Sequence, residues 1–111
     1  MLFEGKSLKV DYLEPGIAEI LFDAAGSVNK FDIATLKELS DALAILANEE
    51  SLEGVLVSSA KGVFIVGADI TEFLGMFSKS HEELMTWARQ ATDVFDALED
   101  LKVPTVSAVN G

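Results

Sequence analysis

The pattern of hydrophobic and polar positions changes period several times along this chain, and each change marks a different element. Leu8, Val10 and Tyr12 alternate with Lys9 and Asp11, which predicts a strand with one buried face. Glu14-Pro15-Gly16-Ile17 reads as a type II turn, in which proline presets φ at the second position and glycine accepts the positive φ of the third. Ile17 to Phe22 supplies a second strand, so an antiparallel hairpin is expected, followed by loop from Asp23 to Ser27. The period then lengthens. Ile33, Leu36, Leu39, Leu43 and Leu46 recur at spacings of three and four, predicting a helix of about 15 residues behind an Asp32 N-cap. Glu49 and Glu50 oppose the helix dipole, so the helix is expected to stop before them.

Two apolar runs are continuous rather than alternating. "VLV" within Gly54 to Ser58 and "FIV" within Gly62 to Val66 predict short strands buried on both faces. Ser80-His81-Glu82-Glu83 has the spacing of a capping box. Behind it Leu84, Trp87, Ala88, Ala91, Val94, Phe95, Leu98 and Leu101 form one apolar stripe, with Arg89, Asp93, Asp96 and Asp100 opposite. Pro104 stops this helix, and Thr105 to Val109 predicts another buried strand. The order strand, strand, helix, strand, strand, helix, strand is a repeated ββα pattern of the α/β class. Asn110-Gly111 follows the last strand with no closing helix and no polar tail, so the chain is expected to be a fragment of something longer.

Composition narrows the function. Half of the 111 residues are apolar and 24% charged, as in one modest globular domain. Eight basic against 19 acidic residues give a net charge of −11, which argues against nucleic acid and against an anionic membrane surface as partners. A phosphorylated small molecule needs only a local positive patch and stays open. With no cysteine there are no disulfides, no thiolate catalysis and no cysteine-ligated metal. Neither a leader nor an apolar run of membrane-spanning length is visible, and the expected compartment is the cytoplasm.

Candidate chemistry centres on "GVFIVGADI", Gly62 to Ile70. Asp69 followed by Glu72 has the spacing of a second capping box, with Asp69 as N-cap of a short helix through Thr71, Glu72 and Phe73. Ala68 then sits just before a helix N-terminus, where amides lack intrahelical partners and can donate to a developing oxyanion. Gly67 permits a sharp turn, and the small Ala68 leaves room for a ligand. An ordinary strand-to-helix turn capped by aspartate accounts for the same spacing. Asp69 and Glu72 also invite a reading as a general acid–base pair, although capping explains both. His81, flanked by glutamate near a helix start, is expected to be solvated, and Trp87 to be core. No GxGxxG or GxxxxGK[ST] run supports nucleotide binding at Gly67.

These residues resemble a known family. "GVFIVGADITEF" is similar to the oxyanion-loop segment of the crotonase (enoyl-CoA hydratase/isomerase) superfamily, and "KVPTVSAVNG" resembles its Pro-x-x-Ala-x-Asn-Gly strand. "SVNKFD", Ser27 to Asp32, differs from the Asn-Ala-Leu type of single-function hydratases. It is closer to the hydratase/isomerase unit that precedes a 3-hydroxyacyl-CoA dehydrogenase in bacterial fatty acid oxidation α-subunits. The resemblance covers the whole chain in order.

It implies the N-terminal portion of a crotonase-like ββα superhelix acting on acyl-CoA thioesters. The Ala68 amide would be one of two donors to the thioester oxygen. Val66, Gly67, Asp69 and Ile70 would border the coenzyme A site, with Val66 and Ile70 at the adenine end. Asn29-Lys30 would lie on the loop that passes the pantetheine. Lys30 and Lys61 would offset the CoA phosphates, unless they are simply surface lysines. Phe73, Leu74, Met76 and Phe77 would border the acyl pocket, with core packing as the alternative. The second donor and the two catalytic glutamates lie beyond Asn-Gly in this family, so the 111 residues alone are expected to be inactive. No cofactor is implied for them; NAD would serve only the dehydrogenase part. A thiolase β-subunit is the implied partner of the longer protein. A non-catalytic alternative is a folding or assembly unit that self-associates through exposed strand edges.

Overall fold

In the computed structural model, residues 1–111 are described throughout except for the side chains of Phe73 and Met76. Five strands form one mixed sheet in the order β1 (Phe3–Glu4), β2 (Leu8–Glu14), β3 (Ile17–Phe22), β4 (Gly54–Ser59) and β5 (Thr105–Ser107). The first three are antiparallel, while β3, β4 and β5 run parallel. The helices are α1 (Ile33–Ala47), α2 (Ile70–Met76) and α3 (His81–Glu99).

The hairpin forms where expected. Gly16 has φ +86°, as the third position of a type II turn requires, and Val10 pairs with Ile20 across it. Its alternation puts Leu8, Val10, Ala18, Ile20 and Phe22 on one buried face. Parallel strands need a crossover, and α1 provides it between β3 and β4. The Asp32 side chain caps α1 by accepting from Thr35 N–H at 2.7 Å, and the helix stops at Ala47, before Glu49. Its inner face consists of Thr35, Leu39, Ala42, Leu43 and Leu46, which pack with the sheet residues and with Val55 and Val57 of β4. Ile33 and Leu36, expected on that face, line the cleft between α1 and α3 instead, and Ile33 is 49% exposed. An Asp32→Ala substitution removes the cap and is expected to cost about 1 kcal/mol, measured as a lower urea midpoint at unchanged slope.

Three expectations are corrected. Residues 62–66 are not a strand: their backbone groups bond to Asn29, Ser59 and Asn110 rather than to a sheet ladder. The repeated ββα pattern therefore has one member fewer, and the short strand β1 is added at the other edge. The segment Thr105 to Val109 pairs only over Thr105–Ser107 and is exposed, because β5 is the edge of the sheet among the described residues. Finally, α3 buries none of its residues fully. Its stripe is only half covered, by α1 and by Phe31, and leaves Phe95 41% exposed.

Candidate functional site

The loop after β3, the loop after β4 and the start of α2 meet at one end of the sheet. Phe31 and Ala68 form an isolated parallel bridge there. Phe31 N–H donates to Gly67 C=O at 2.7 Å, and Phe31 C=O accepts from Asp69 N–H at 3.0 Å. Two residues earlier, Asn29 C=O accepts from Val66 N–H at 2.9 Å, where regular parallel pairing would have used Gly67. The 66–69 side thus carries one extra residue. Gly67 absorbs it with φ +113°, a conformation that strains any side chain. No atom lies within 4 Å of where a Gly67 Cβ would stand, so the backbone angle, not crowding, requires glycine.

The bridge decides where the amides point. In a parallel pair the bonded residue of one strand uses both of its polar groups toward the other, whose bridged residue faces away. Phe31 spends its groups on Gly67 and Asp69, so Ala68 N–H is directed to the opposite side. Ala68 is exposed, and neither its N–H nor that of Gly67 donates to an acceptor among the described residues. An exposed amide with no acceptor among the described residues, on a backbone held by the Phe31 bridge, is a ready donor to a ligand oxygen.

Around it, every carboxylate is committed. Asp69 Oδ1 accepts from Thr71 N–H at 2.8 Å and Glu72 N–H at 3.2 Å, capping α2, while Oδ2 pairs with Lys30 Nζ at 3.0 Å. Glu72 does not turn back to Asp69; its Oε1 accepts from Ile33 N–H at 2.8 Å and so caps the other helix. The two helix starts are cross-tied on either side of the Phe31–Ala68 bridge. With Asp69, Glu72 and Asp32 all held by amides, no free acid–base pair stands beside Ala68 among the described residues.

The hydrogen bond from Lys30, then that from Glu72 N–H, hold the Asp69 carboxyl below its usual range, and the same Asp69 contact raises the Lys30 ammonium. A depressed carboxyl stabilises the folded turn above the ordinary carboxylate range, and that stability is lost as pH falls through the lowered value. A raised ammonium stabilises below the ordinary lysine value, and that stability is lost as pH rises through the raised one. Because Lys30 is about half exposed, solvent screens the pair and the effect is small. Urea midpoints of wild type and Lys30→Met are therefore expected to differ most between these limits and to converge at both acid and alkaline ends.

The remaining candidate residues separate into outward and inward groups. Val66 and Ile70 are exposed, 58% and 73%, and flank Ala68 with apolar surface. Asn29, in contrast, is buried, and its side chain makes only internal hydrogen bonds. Lys61 pairs with Asp23 at 3.0 Å and is mostly covered. His81 is solvent-exposed, and Trp87 is half-buried in the cleft between α1 and α3. Leu74 and Phe77 are exposed, while the side chains of Phe73 and Met76 lie outside the described residues. Beneath the 64–67 segment an apolar cavity of about 330 Å³ is lined by Phe22, Phe31, Phe64, Gly67, Phe95 and neighbours.

Sequence reasoning missed Phe31. Its ring meets Phe22 edge-on at 5.9 Å and Phe95 at 5.1 Å, joining sheet to α3 while its backbone holds the Gly67–Asp69 strand. Ser59 and Asn110 were missed as well; Asn110 donates to Lys61 C=O at 2.9 Å and accepts from Phe64 N–H at 2.9 Å.

Comparison with known proteins identifies the family and the fold. The family model described as enoyl-CoA hydratase/isomerase matches residues 13–111. Over its whole length the chain is 59% identical to the fatty acid oxidation complex subunit alpha of Idiomarina loihiensis and 52% identical to that of Colwellia psychrerythraea. It spans 15% of the length of either relative. Among solved structures, an enoyl-CoA hydratase from Shewanella pealeana superposes with a TM-score of 0.87 at 21% identity, over 95% of this chain and 39% of that one. An enoyl-CoA hydratase from Mycobacterium smegmatis gives 0.84 at 27% identity, over 95% and 40%.

Proposed function

Because the chain belongs to the enoyl-CoA hydratase/isomerase family and has its α/β crotonase fold, we propose that it supplies one part of a site that adds water across the double bond of a 2-enoyl-CoA. Addition of water places negative charge on the thioester oxygen in an enolate-like transition state. A fixed amide aimed at that oxygen stabilises the transition state more than the ground state. The observation that carries the proposal is the Ala68 N–H, exposed, unpaired among the described residues and turned away from Phe31.

In this reading Val66 and Ile70 cover the adenine end of coenzyme A, Gly67 and Asp69 shape the turn, and the Asn29-Lys30 backbone passes the pantetheine. Lys30 and Lys61 already pair with Asp69 and Asp23, so contact with CoA phosphates requires each lysine to share its charge with a second anion. The second oxyanion donor and the two glutamates belong to the length of the relatives that this chain does not span. The relatives are named subunits of a fatty acid oxidation complex, which supports a role in fatty acid oxidation. The resemblance of "SVNKFD" to multifunctional α-subunits extends the proposal to a cytoplasmic multifunctional subunit partnered by a thiolase β-subunit. The NAD of its dehydrogenase part finds no GxGxxG run among these residues.

With every carboxylate near Ala68 engaged by amides, the 111-residue chain by itself is expected not to hydrate crotonyl-CoA. Loss of enoyl thioester absorbance should proceed at the buffer rate, and turnover clearly above it would mean that the acid–base groups lie within these residues.

A second, non-catalytic reading is favoured by the exposed edge strand β5 and by α3, which buries no residue fully. Uncovered strand edges and apolar faces invite pairing with another chain. Sedimentation at micromolar concentration should then show self-association of the 111 residues; a single monomeric species would remove this reading.

A further inference from the structure

The one buried asparagine deepens the reading of Ala68 as an oxyanion donor, on which the following rests. Asn29 is 1% exposed, yet it is not a passive core residue. Its Oδ1 accepts from Ala24 N–H at 2.9 Å. Its Nδ2 donates toward Phe22 C=O at 3.2 Å, Ser59 Oγ at 2.8 Å and Phe64 C=O at 3.3 Å. Its own carbonyl receives Val66 N–H at 2.9 Å. Ser59 continues the knot. Its hydroxyl donates to Val63 C=O at 2.8 Å and accepts from Lys61 N–H at 3.0 Å.

One amide group therefore gathers the end of β3, the end of β4 and the segment that leads into Ala68. This segment has no regular strand of its own, so its path is set by these bonds, by the Phe64 N–H bond to Asn110 C=O and by the Phe31 bridge. One residue, Lys30, separates Asn29 from Phe31, and the Asn29 and Phe31 carbonyls hold Val66 and Asp69, the bonded neighbours on either side of the two amides that have no acceptor among the described residues. We propose that the Asn29 side chain is a positioning group: by locking the Phe64–Val66 backbone to the sheet it helps determine where the Ala68 N–H points, without itself touching the substrate.

Asn29→Asp is the informative variant. It keeps the shape and the acceptor toward Ala24 N–H but removes the donor, leaving carboxylate oxygen facing Phe22 C=O, Ser59 Oγ and Phe64 C=O. Ser59→Ala removes only one strand of the knot. Both are made in a full-length subunit bearing this segment, and two properties are measured: crotonyl-CoA hydration and amide hydrogen exchange without substrate. A misplaced catalytic group costs up to roughly 10²-fold, so kcat of Asn29→Asp is expected to fall by about that factor with KM nearly unchanged, and that of Ser59→Ala by about tenfold. Exchange protection of Val66 and Asp69 N–H should fall in Asn29→Asp while Ile20 and Val57 keep theirs.

Local loosening together with the loss of kcat supports the proposal. Loss of protection spread equally over Ile20 and Val57 overturns it, because Asn29 would then be a general stability residue. Unchanged exchange at Val66 and Asp69 also overturns it. Local loosening with kcat intact overturns the oxyanion role of Ala68 instead, while Asn29 keeps its hold on the segment.

Discussion

Replacing Ala68 by proline is expected to lower kcat for enoyl-CoA hydration by about 10²–10³, the usual cost of losing one oxyanion donor. Proline deletes the N–H. Within the folded chain that deletion breaks no hydrogen bond, since the Ala68 N–H has no acceptor among the described residues, while the adjacent Phe31–Asp69 bond remains available. The loss should therefore appear in turnover and not in folding. Ala68→Ser keeps the amide at nearly the same size and serves as the control, with kcat expected within a few-fold of wild type. Steady-state kinetics in a full-length subunit bearing this segment, with a urea titration of each variant, checks both. Equal kcat in the proline and serine variants would remove the amide from the chemistry.

The second large effect is on stability. Leu43 lies at the middle of the inner face of α1, 2% exposed, against the β2–β3–β4 sheet. Truncation to alanine loses the transfer energy of the removed carbons and leaves a cavity that the surrounding strands close only in part. The expected cost is about 2–5 kcal/mol. A small domain has roughly 5–15 kcal/mol in all, so Leu43→Ala should bring the isolated chain close to unfolding at room temperature. The contrasting variant is Ile33→Ala. Although Ile33 has the same helical spacing, it is half exposed at the cleft toward α3, and the change should cost less than about 1 kcal/mol. Urea unfolding followed by Trp87 fluorescence and by far-UV circular dichroism reads both. Equal costs would mean that the buried face of α1 is not the one described.

Local chemistry made part of this fold legible in the sequence. The hairpin followed from strict alternation and from Pro15-Gly16, and the ends of α1 from Asp32 and the glutamates after Ala47. The caps of α2 and α3 were readable because Asp69 and Ser80 act on amides two or three residues away. The second halves of both capping boxes were not. Glu72 turns to Ile33 N–H, and Glu83 to Lys79 at 3.7 Å, so distant or alternative partners won over the local amide. The run "FIV" could not be told from a strand, because an apolar run has no period to betray it. Its backbone satisfies itself on Asn29, Ser59 and Asn110, contacts spanning 4 to 46 positions that no local pattern encodes. Phe31 was hidden for the same reason: a lone aromatic between Lys30 and Asp32 says nothing of Phe22, Phe95 or the Gly67 carbonyl. The half-covered face of α3 reads from the sequence as an ordinary buried stripe, since periodicity reports which side is apolar and not what covers it.

The claim that the Ala68 amide polarises a thioester is tested most directly at the thioester itself. A 2-enoyl-CoA carrying ¹³C at the carbonyl is bound to a full-length subunit bearing this segment, and its C=O stretch is followed by difference infrared spectroscopy. Hydrogen bonds to the oxygen weaken the carbonyl bond, so binding to wild type is predicted to move the stretch to lower frequency. Ala68→Pro should give up part of that displacement while Ala68→Ser keeps all of it. A carbonyl frequency that is identical in all three proteins would contradict the account.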